Sequence, residues 1–158
     1  RVQFPILNAA PDTGDVIVLK KDPRSTPFSP AVDTPKEYIR MKGADVFTYA
    51  VGVMESTLRR LAEQCGEKPY NKIVPHQANE KIIDFVIRTM EFGREQFFVN
   101  IANYANTSSA SIPIALCDAW ESGWLHAGDR IAIVGFGSGL TSGGAVIDWT
   151  LQNKKENN

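Results

Sequence analysis

The chain has 158 residues and a mass of 17.4 kDa, the size of one ordinary domain. Its 43% hydrophobic and 22% charged residues can fill and solubilise a core, which excludes disorder as the overall state. Seventeen basic against eighteen acidic side chains leave a formal charge of -1, which argues against a nucleic-acid partner, since such binders carry a basic excess. Two cysteines, Cys65 and Cys117, are too few for a disulfide scaffold or a cysteine-rich zinc site. No apolar run approaches the ~18 residues that span a bilayer, and the start lacks the basic and apolar parts of a signal peptide. No membrane partner is expected, and a reducing cytoplasm is the default location.

Six of the nine prolines (Pro5, Pro11, Pro23, Pro27, Pro30 and Pro35) fall in residues 1–40, which hold a single glycine, Gly14. Asp15-Val-Ile-Val-Leu19 reads as a short strand, but this much proline forbids long helices or central strands around it. The segment is expected to be irregular, a lid or a linker between two halves of a larger protein. The abrupt start at Arg1 fits truncation.

From Gly43 the pattern becomes regular. Val46, Phe47, Ala50, Val51, Met54, Leu58, Leu61 and Ala62 recur at three- and four-residue steps, predicting an amphipathic helix that Gly66 ends. Lys72-Ile-Val-Pro75 predicts a short strand. A helix follows from about Asn79, burying Ile82, Ile83, Val86, Ile87 and Met90. Gln96-Phe-Phe-Val99 reads as a strand, and a third helix is expected from about Ser109 to Glu121. Arg130–Val134 and Ala145–Trp149 read as strands joined by a glycine-rich turn, and residues 152–158 form a polar, frayed tail. Alternating helices and strands predict a layered α/β domain. The last connection is too short for a crossover helix, so the final two strands should pair antiparallel and the sheet should be mixed.

Three segments have the composition for chemistry. In Ile73-Val-Pro-His-Gln-Ala-Asn79, His76 lies between a strand end and a helix start, where α/β proteins assemble sites. Its imidazole offers one donor and one acceptor and titrates near neutrality. It would serve equally as a helix cap or a packed turn residue. In Asn103-Tyr-Ala-Asn-Thr-Ser-Ser-Ala-Ser111, Asn106 precedes a helix start rich in small hydroxylated residues. One such residue suffices for a cap, and several in a row also suit a substrate channel.

The third segment, Gly135-Phe-Gly-Ser-Gly139 with Gly143-Gly144, gathers five of the twelve glycines. Leu140 and the following strand reject a dinucleotide fingerprint, and Phe136 rejects a hydrolase nucleophile elbow. What remains is a tight turn whose amides can face an oxyanion, or a glycine-rich hairpin needed only for packing. The cysteines are poor nucleophile candidates. Cys117 falls in an apolar stretch expected to be buried, and Cys65 follows a helix at its negative end. Trp120, Trp124 and Trp149 are expected in core or interface.

Together, Pro75-His-Gln-Ala-Asn79, Asn106-Thr-Ser-Ser-Ala-Ser-Ile-Pro113 and Gly135-Phe-Gly-Ser-Gly139 resemble the C-terminal half of ketoacyl-acyl-carrier-protein synthase III, a member of the thiolase superfamily. Met41-Lys-Gly-Ala-Asp-Val-Phe47 fits as the entry to the first helix, and the likeness covers about residues 41 to 150. The resemblance implies a thiolase-like α/β fold, with residues 1–40 as inter-half linker, 41–151 as the C-terminal domain and 152–158 as tail.

It also implies a condensing enzyme with a cysteine, histidine and asparagine triad. The cysteine takes an acyl group from acyl-CoA, and malonyl-acyl carrier protein then loses carbon dioxide to give the attacking enolate. His76 and Asn106 match the histidine and asparagine. Gly137, Ser138 and Gly139 match the oxyanion-hole turn, with the Ser138 amide as donor where many members carry glycine. Gly43, Phe47 and Asn79 match positions lining the pantetheine tunnel. Lys81 matches a basic residue that docks the carrier protein, though it also reads as a solvated helix lysine. No cofactor and no metal are implied, since acyl-CoA and malonyl-acyl carrier protein are substrates.

The family's nucleophile lies at a helix start in the N-terminal half, and no residue here matches it. The chain is therefore expected to pair with a preceding half of the same chain, in a parent that is a homodimer, and to be inactive alone. A type III polyketide synthase, a ketosynthase-like acyltransferase and a non-catalytic partner subunit stay open as alternatives. Primer preference and pathway are not legible.

Overall fold

The computed structural model describes residues 1–12, 14–18 and 38–152. Four strands form the main sheet: β1 (Val2–Ala9), β4 (Lys72–Pro75), β5 (Arg130–Gly137) and β6 (Thr141–Asp148), in the order β1-β6-β5-β4. The β4–β5 pair is parallel, and the β5–β6 and β1–β6 pairs are antiparallel, so the sheet is mixed as expected. Two short strands, β2 (Ile17–Val18) and β3 (Arg40–Met41), make a separate antiparallel ribbon. That ribbon is secured by Asp12, whose carboxylate accepts the amides of Val16 (2.8 Å) and Ile17 (3.1 Å). Those bonds, Val16 first, hold the Asp12 carboxyl below its ordinary range.

Helices cover both faces. Helix α1 (Gly43–Cys65) buries Ala50, Met54, Thr57, Leu58 and Leu61 along one stripe and ends at Gly66. Helix α2 (Glu80–Thr89) buries Ile82, Ile83, Val86 and Ile87, and Asn79 caps it by accepting the Lys81 amide. Both pack in one core with Ile73, Ala132, Val134 and Val146. On the opposite face lies α4 (Ser111–Glu121), preceded in the chain by the one-turn α3 (Ile101–Tyr104). Ala115 and Ala119 of α4 meet Val74, Leu125 and Ile131, flanked by Trp120, Trp124 and Trp149, the core setting expected for the tryptophans. Side chains of β4 and β5 thus alternate between the two cores, the period-two signature of a sheet covered on both sides. Full burial of a Leu or Ile contributes about 1.5–3 kcal/mol, so the two stripes account for much of the cohesion.

The structure corrects four expectations. Residues 2–9, read as irregular, form an edge strand. Phe4 takes a left-handed φ of 53° and the register shifts between Gln3 and Ile6, a bulge that accommodates Pro5 where proline is tolerated. Gln96–Val99 is not a strand. A 3-10 turn spans Arg94–Gln96, and Phe97 makes one bridge to Ile73 before the chain curls into α3. Its apolar run reflects packing, with Phe97 in one core and Phe98 against the other.

The last two strands are longer than read, and the turn between them is only Ser138–Leu140. Glycines 135, 137, 143 and 144 lie within the ladder. At Gly144 a Cβ would sit 2.8 Å from the Ile133 carbonyl oxygen and 2.6 Å from Thr57 Cγ2, so glycine lets α1 press onto β6. Finally, Cys117 is exposed. The buried stripe of α4 runs through Ser111, Ala115 and Ala119, and Cys117 falls on the far side. Glu121 beside it pushes its thiol upward in pKa.

The strand read at Asp15–Leu19 survives as Ile17–Val18; Leu19, Pro23, Pro27, Pro30, Pro35 and residues 153–158 of the tail lie outside the described residues. No helix among the described residues is long and apolar enough to cross a membrane.

Candidate active site

His76 stands immediately past β4. Its amide donates to the Val134 carbonyl at 2.8 Å, extending the parallel ladder by one residue, and the chain then turns tightly as the Ala78 amide donates to the His76 carbonyl. Gln77 fastens this turn from beneath. Only 1% exposed, it donates from Nε2 to the Pro75 carbonyl (2.8 Å) and the Phe98 carbonyl (3.3 Å). Its Oε1 accepts the Asn100 amide at 3.1 Å. The ring of His76 meets the edge of Phe136 at 5.3 Å between centroids, and its Nδ1 lies 2.6 Å from Ser111 Oγ.

Asn106 comes from the loop between α3 and α4. Its Oδ1 accepts the Ser108 amide at 2.9 Å, which leaves the side-chain NH2 to donate elsewhere. Ala105 and Ser108 on either side adopt left-handed φ values of 57° and 55°, a local cost that fixes the loop's path. The loop is held from behind by Asp118 of α4, which accepts from Asn100 Nδ2 (2.9 Å) and the Tyr104 hydroxyl (3.1 Å).

His76 and Asn106 open onto one cavity of about 220 Å³ that Gly43, Phe47, Asn79 and Gly137 also line. Six residues from four separated parts of the sequence therefore meet. Ile17 and Met41 of the small ribbon, with Phe136, complete the rim. No cysteine lines the cavity. Ser138 and Gly139 stand apart from its wall, at the hairpin tip. The Ser138 hydroxyl donates to the Ile17 carbonyl at 3.2 Å, and Gly139 takes a φ of 136° that suits glycine. Lys81 lies outside as well, in an adjoining cavity of about 520 Å³ with Arg88 and Arg94. Phe47 lines both, so the two spaces meet at its ring.

Gln77 and Ser111, which hold His76, and Ile17 and Met41 at the rim carry no signal of these roles in the sequence. Buried polar partners carry no periodic signal, and Ser111 looked like one more hydroxyl in a cap. Among the described residues, no group of three His, Cys, Asp or Glu side chains is arranged to hold a metal ion.

Among the described residues, no charged side chain lines the His76 cavity. Burial alone lowers the pKa of His76, which keeps the imidazole neutral near pH 7. A folded-state pKa below the unfolded value means stability is full above about 6.5 and falls as pH drops through the folded pKa. Between about pH 7.5 and pH 5.5 the wild type should lose more unfolding free energy in urea than His76→Gln. Equal losses would contradict a buried neutral imidazole. Asp12 stays ionised over that window and does not confuse the comparison.

The fold, a mixed sheet covered by helices on both faces, is matched among solved structures. The beta-ketoacyl-[acyl carrier protein] synthase III of Thermus thermophilus superposes with a TM-score of 0.80 at 34% identity, over 94% of this chain and 46% of that one. The 3-oxoacyl-(acyl carrier protein) synthase III of Pseudomonas aeruginosa PAO1 gives 0.81 at 31% identity, over 96% and 45%. The fold is thiolase-like.

Residues 62–149 match the family described as 3-Oxoacyl-[acyl-carrier-protein (ACP)] synthase III C terminal, and the chain belongs to it. A Beta-ketoacyl-[acyl-carrier-protein] synthase III of Clostridium perfringens (strain SM101 / Type A) is 44% identical over 136 residues, 85% of this chain and 42% of the relative. That of Clostridium acetobutylicum is 41% identical over 126 residues, 78% and 39%. The chain spans about two-fifths of the length of these curated relatives.

Proposed function

We propose that this chain carries the malonyl-activating part of a β-ketoacyl-acyl-carrier-protein synthase III, which condenses an acyl-CoA primer with malonyl-acyl carrier protein in fatty-acid synthesis. One observation supports this most: His76 and Asn106, two side chains able to donate hydrogen bonds, line a single cavity with Gly43, Phe47 and Asn79. When malonyl thioester loses carbon dioxide, the breaking C–C bond sends its electron pair into an enolate whose charge gathers on the thioester oxygen. Two fixed donors in a partly dry pocket stabilise that oxygen better than water does. The enolate carbon then bonds to the carbonyl of an acyl-cysteine, and the thiolate leaves.

On this reading the cysteine belongs to a preceding half of a longer chain, and the parent is a cytoplasmic homodimer of such two-half subunits. The amide at Ser138 serves the acyl-enzyme's oxyanion hole, and Lys81 meets the acidic carrier. Neither Cys65 nor Cys117 lines the His76 cavity, and Cys117 has its thiol pKa raised. The isolated chain is therefore expected to gain no mass on incubation with acyl-CoAs. A stoichiometric acyl adduct, read by intact mass spectrometry, would contradict this division of labour. Condensation itself is tested by ketoacyl-carrier product formation from a full-length protein that contains this chain.

A further inference from the structure

Ser111 is the first residue of α4 and is 2% exposed, yet it carries a hydroxyl. A buried hydroxyl needs partners for its single proton and its lone pairs. Two contacts are present. The backbone amide of Gln77 donates to Oγ at 3.2 Å, and His76 Nδ1 lies 2.6 Å from the same oxygen. An amide can only donate, so Oγ is an acceptor toward Gln77. Its proton then has His76 Nδ1 as its acceptor, which requires Nδ1 to be bare. The reverse arrangement, with Nδ1–H donating to Oγ, would fill both lone pairs of that oxygen and leave the buried hydroxyl proton without an acceptor.

We propose that Ser111 is a positioning residue that holds His76 in its Nε2–H tautomer, so that the ring's one N–H is the donor offered to the cavity. The use of that donor rests on the condensing-enzyme reading, in which His76 must donate to the thioester oxygen as it becomes an enolate. A hydroxyl donating to Nδ1 also favours the neutral ring over the imidazolium, because protonation would displace that bond. Among the described residues, those that line the pocket with His76 are uncharged, including Ser111 and Ile112 from α4, Gly135 and Phe136 from β5, Asn106 from its loop and Ile17 from the ribbon. One side chain thus fixes ring orientation, tautomer and charge together, and the Gln77 amide fixes that side chain in turn.

The test uses the whole chain, labelled with 15N, and two-bond 1H–15N spectra of its imidazoles. The chain has two histidines, and a His126→Gln variant assigns the signals. The wild type is expected to show His76 Nδ1 as a bare, pyridine-type nitrogen and Nε2 as the protonated one throughout the neutral range. In Ser111→Ala the Nδ1–H form should appear and the titration of His76 should move upward. Ser111→Thr, which keeps a hydroxyl, should restore the wild-type pattern.

A protonated Nδ1 in the neutral wild-type ring overturns the proposal. So does a Ser111→Ala spectrum with unchanged tautomer and titration. Should Ser111→Ala fail to fold, the wild-type tautomer decides alone. Because the spectra need no substrate, the two readings separate. An Nε2–H ring in a parent enzyme whose decarboxylation survives His76→Ala supports the positioning and overturns the catalytic reading.

Discussion

Replacing His76 or Asn106 by alanine in the full-length enzyme is expected to slow malonyl decarboxylation about 10²–10³-fold in each case, the range seen when one oxyanion donor is removed. Both side chains line the same cavity, His76 with a neutral ring and Asn106 with its oxygen fixed on the Ser108 amide. On the proposed function each deletion removes a donor that matters most when charge reaches the thioester oxygen, so kcat should fall more than KM rises. The double variant should lose less than the product of the single effects, since the two donors share one oxygen. Asn106→Asp should be at least as damaging as alanine, because it sets a carboxylate against the growing enolate charge. The measurement is carbon dioxide release from malonyl-acyl carrier protein, and a loss under about tenfold for either alanine variant would sink the shared-donor account.

The second large effect concerns stability. Gln77→Ala is expected to destabilise the chain by about 3 kcal/mol, read as a lowered urea midpoint. The side chain is 1% exposed and satisfies three backbone groups, the carbonyls of Pro75 and Phe98 and the amide of Asn100. Alanine would leave those groups buried without partners and open a void. Gln77→Glu should be comparably harmful, because a carboxylate would face two carbonyl oxygens. These contacts join the turn carrying His76 to the segment leading into the Asn106 loop, so loss of Gln77 should also slow decarboxylation. A stability change within about 0.5 kcal/mol, as at an ordinary surface position, would show that the three bonds do not hold the turn.

How much of this was legible depends on which forces write themselves into sequence. Helices α1 and α2 were readable because each buries one stripe, and a stripe repeats every three to four residues. Strand β1 was not. It is an edge strand with a proline and a bulge, and Ile6 alone among its residues is buried. The glycines after Val134 read as a turn because glycine punctuates turns more often than it fills strands. Here the demand is for space, and Gly144 is needed where the Ile133 carbonyl and Thr57 crowd its backbone. Phe97 and Phe98 mimicked a strand because they feed two different cores.

The site was legible as three separate segments, and the resemblance supplied the common purpose proposed for them. What joins them is tertiary. Parallel pairing of β4 with β5 sets His76 beside Gly135 and Phe136, and α4 brings Ser111 to the ring. Asp118, two-thirds of the way along α4, holds the Asn106 loop through Asn100 and Tyr104. None of these partners is close in sequence to the group it supports, and none has a spacing that a linear reading detects.

The central claim is that this chain activates the malonyl group while a cysteine elsewhere holds the acyl group. It is tested most directly by separating the two half-reactions in a full-length protein with His76 and Asn106 both changed to alanine. That variant is mixed first with acyl-CoA and weighed intact, then given malonyl-acyl carrier protein while carbon dioxide is measured. The account predicts a stoichiometric acyl adduct and almost no carbon dioxide. Loss of the adduct with decarboxylation untouched would contradict it, and would assign these two residues to the cysteine rather than to the enolate.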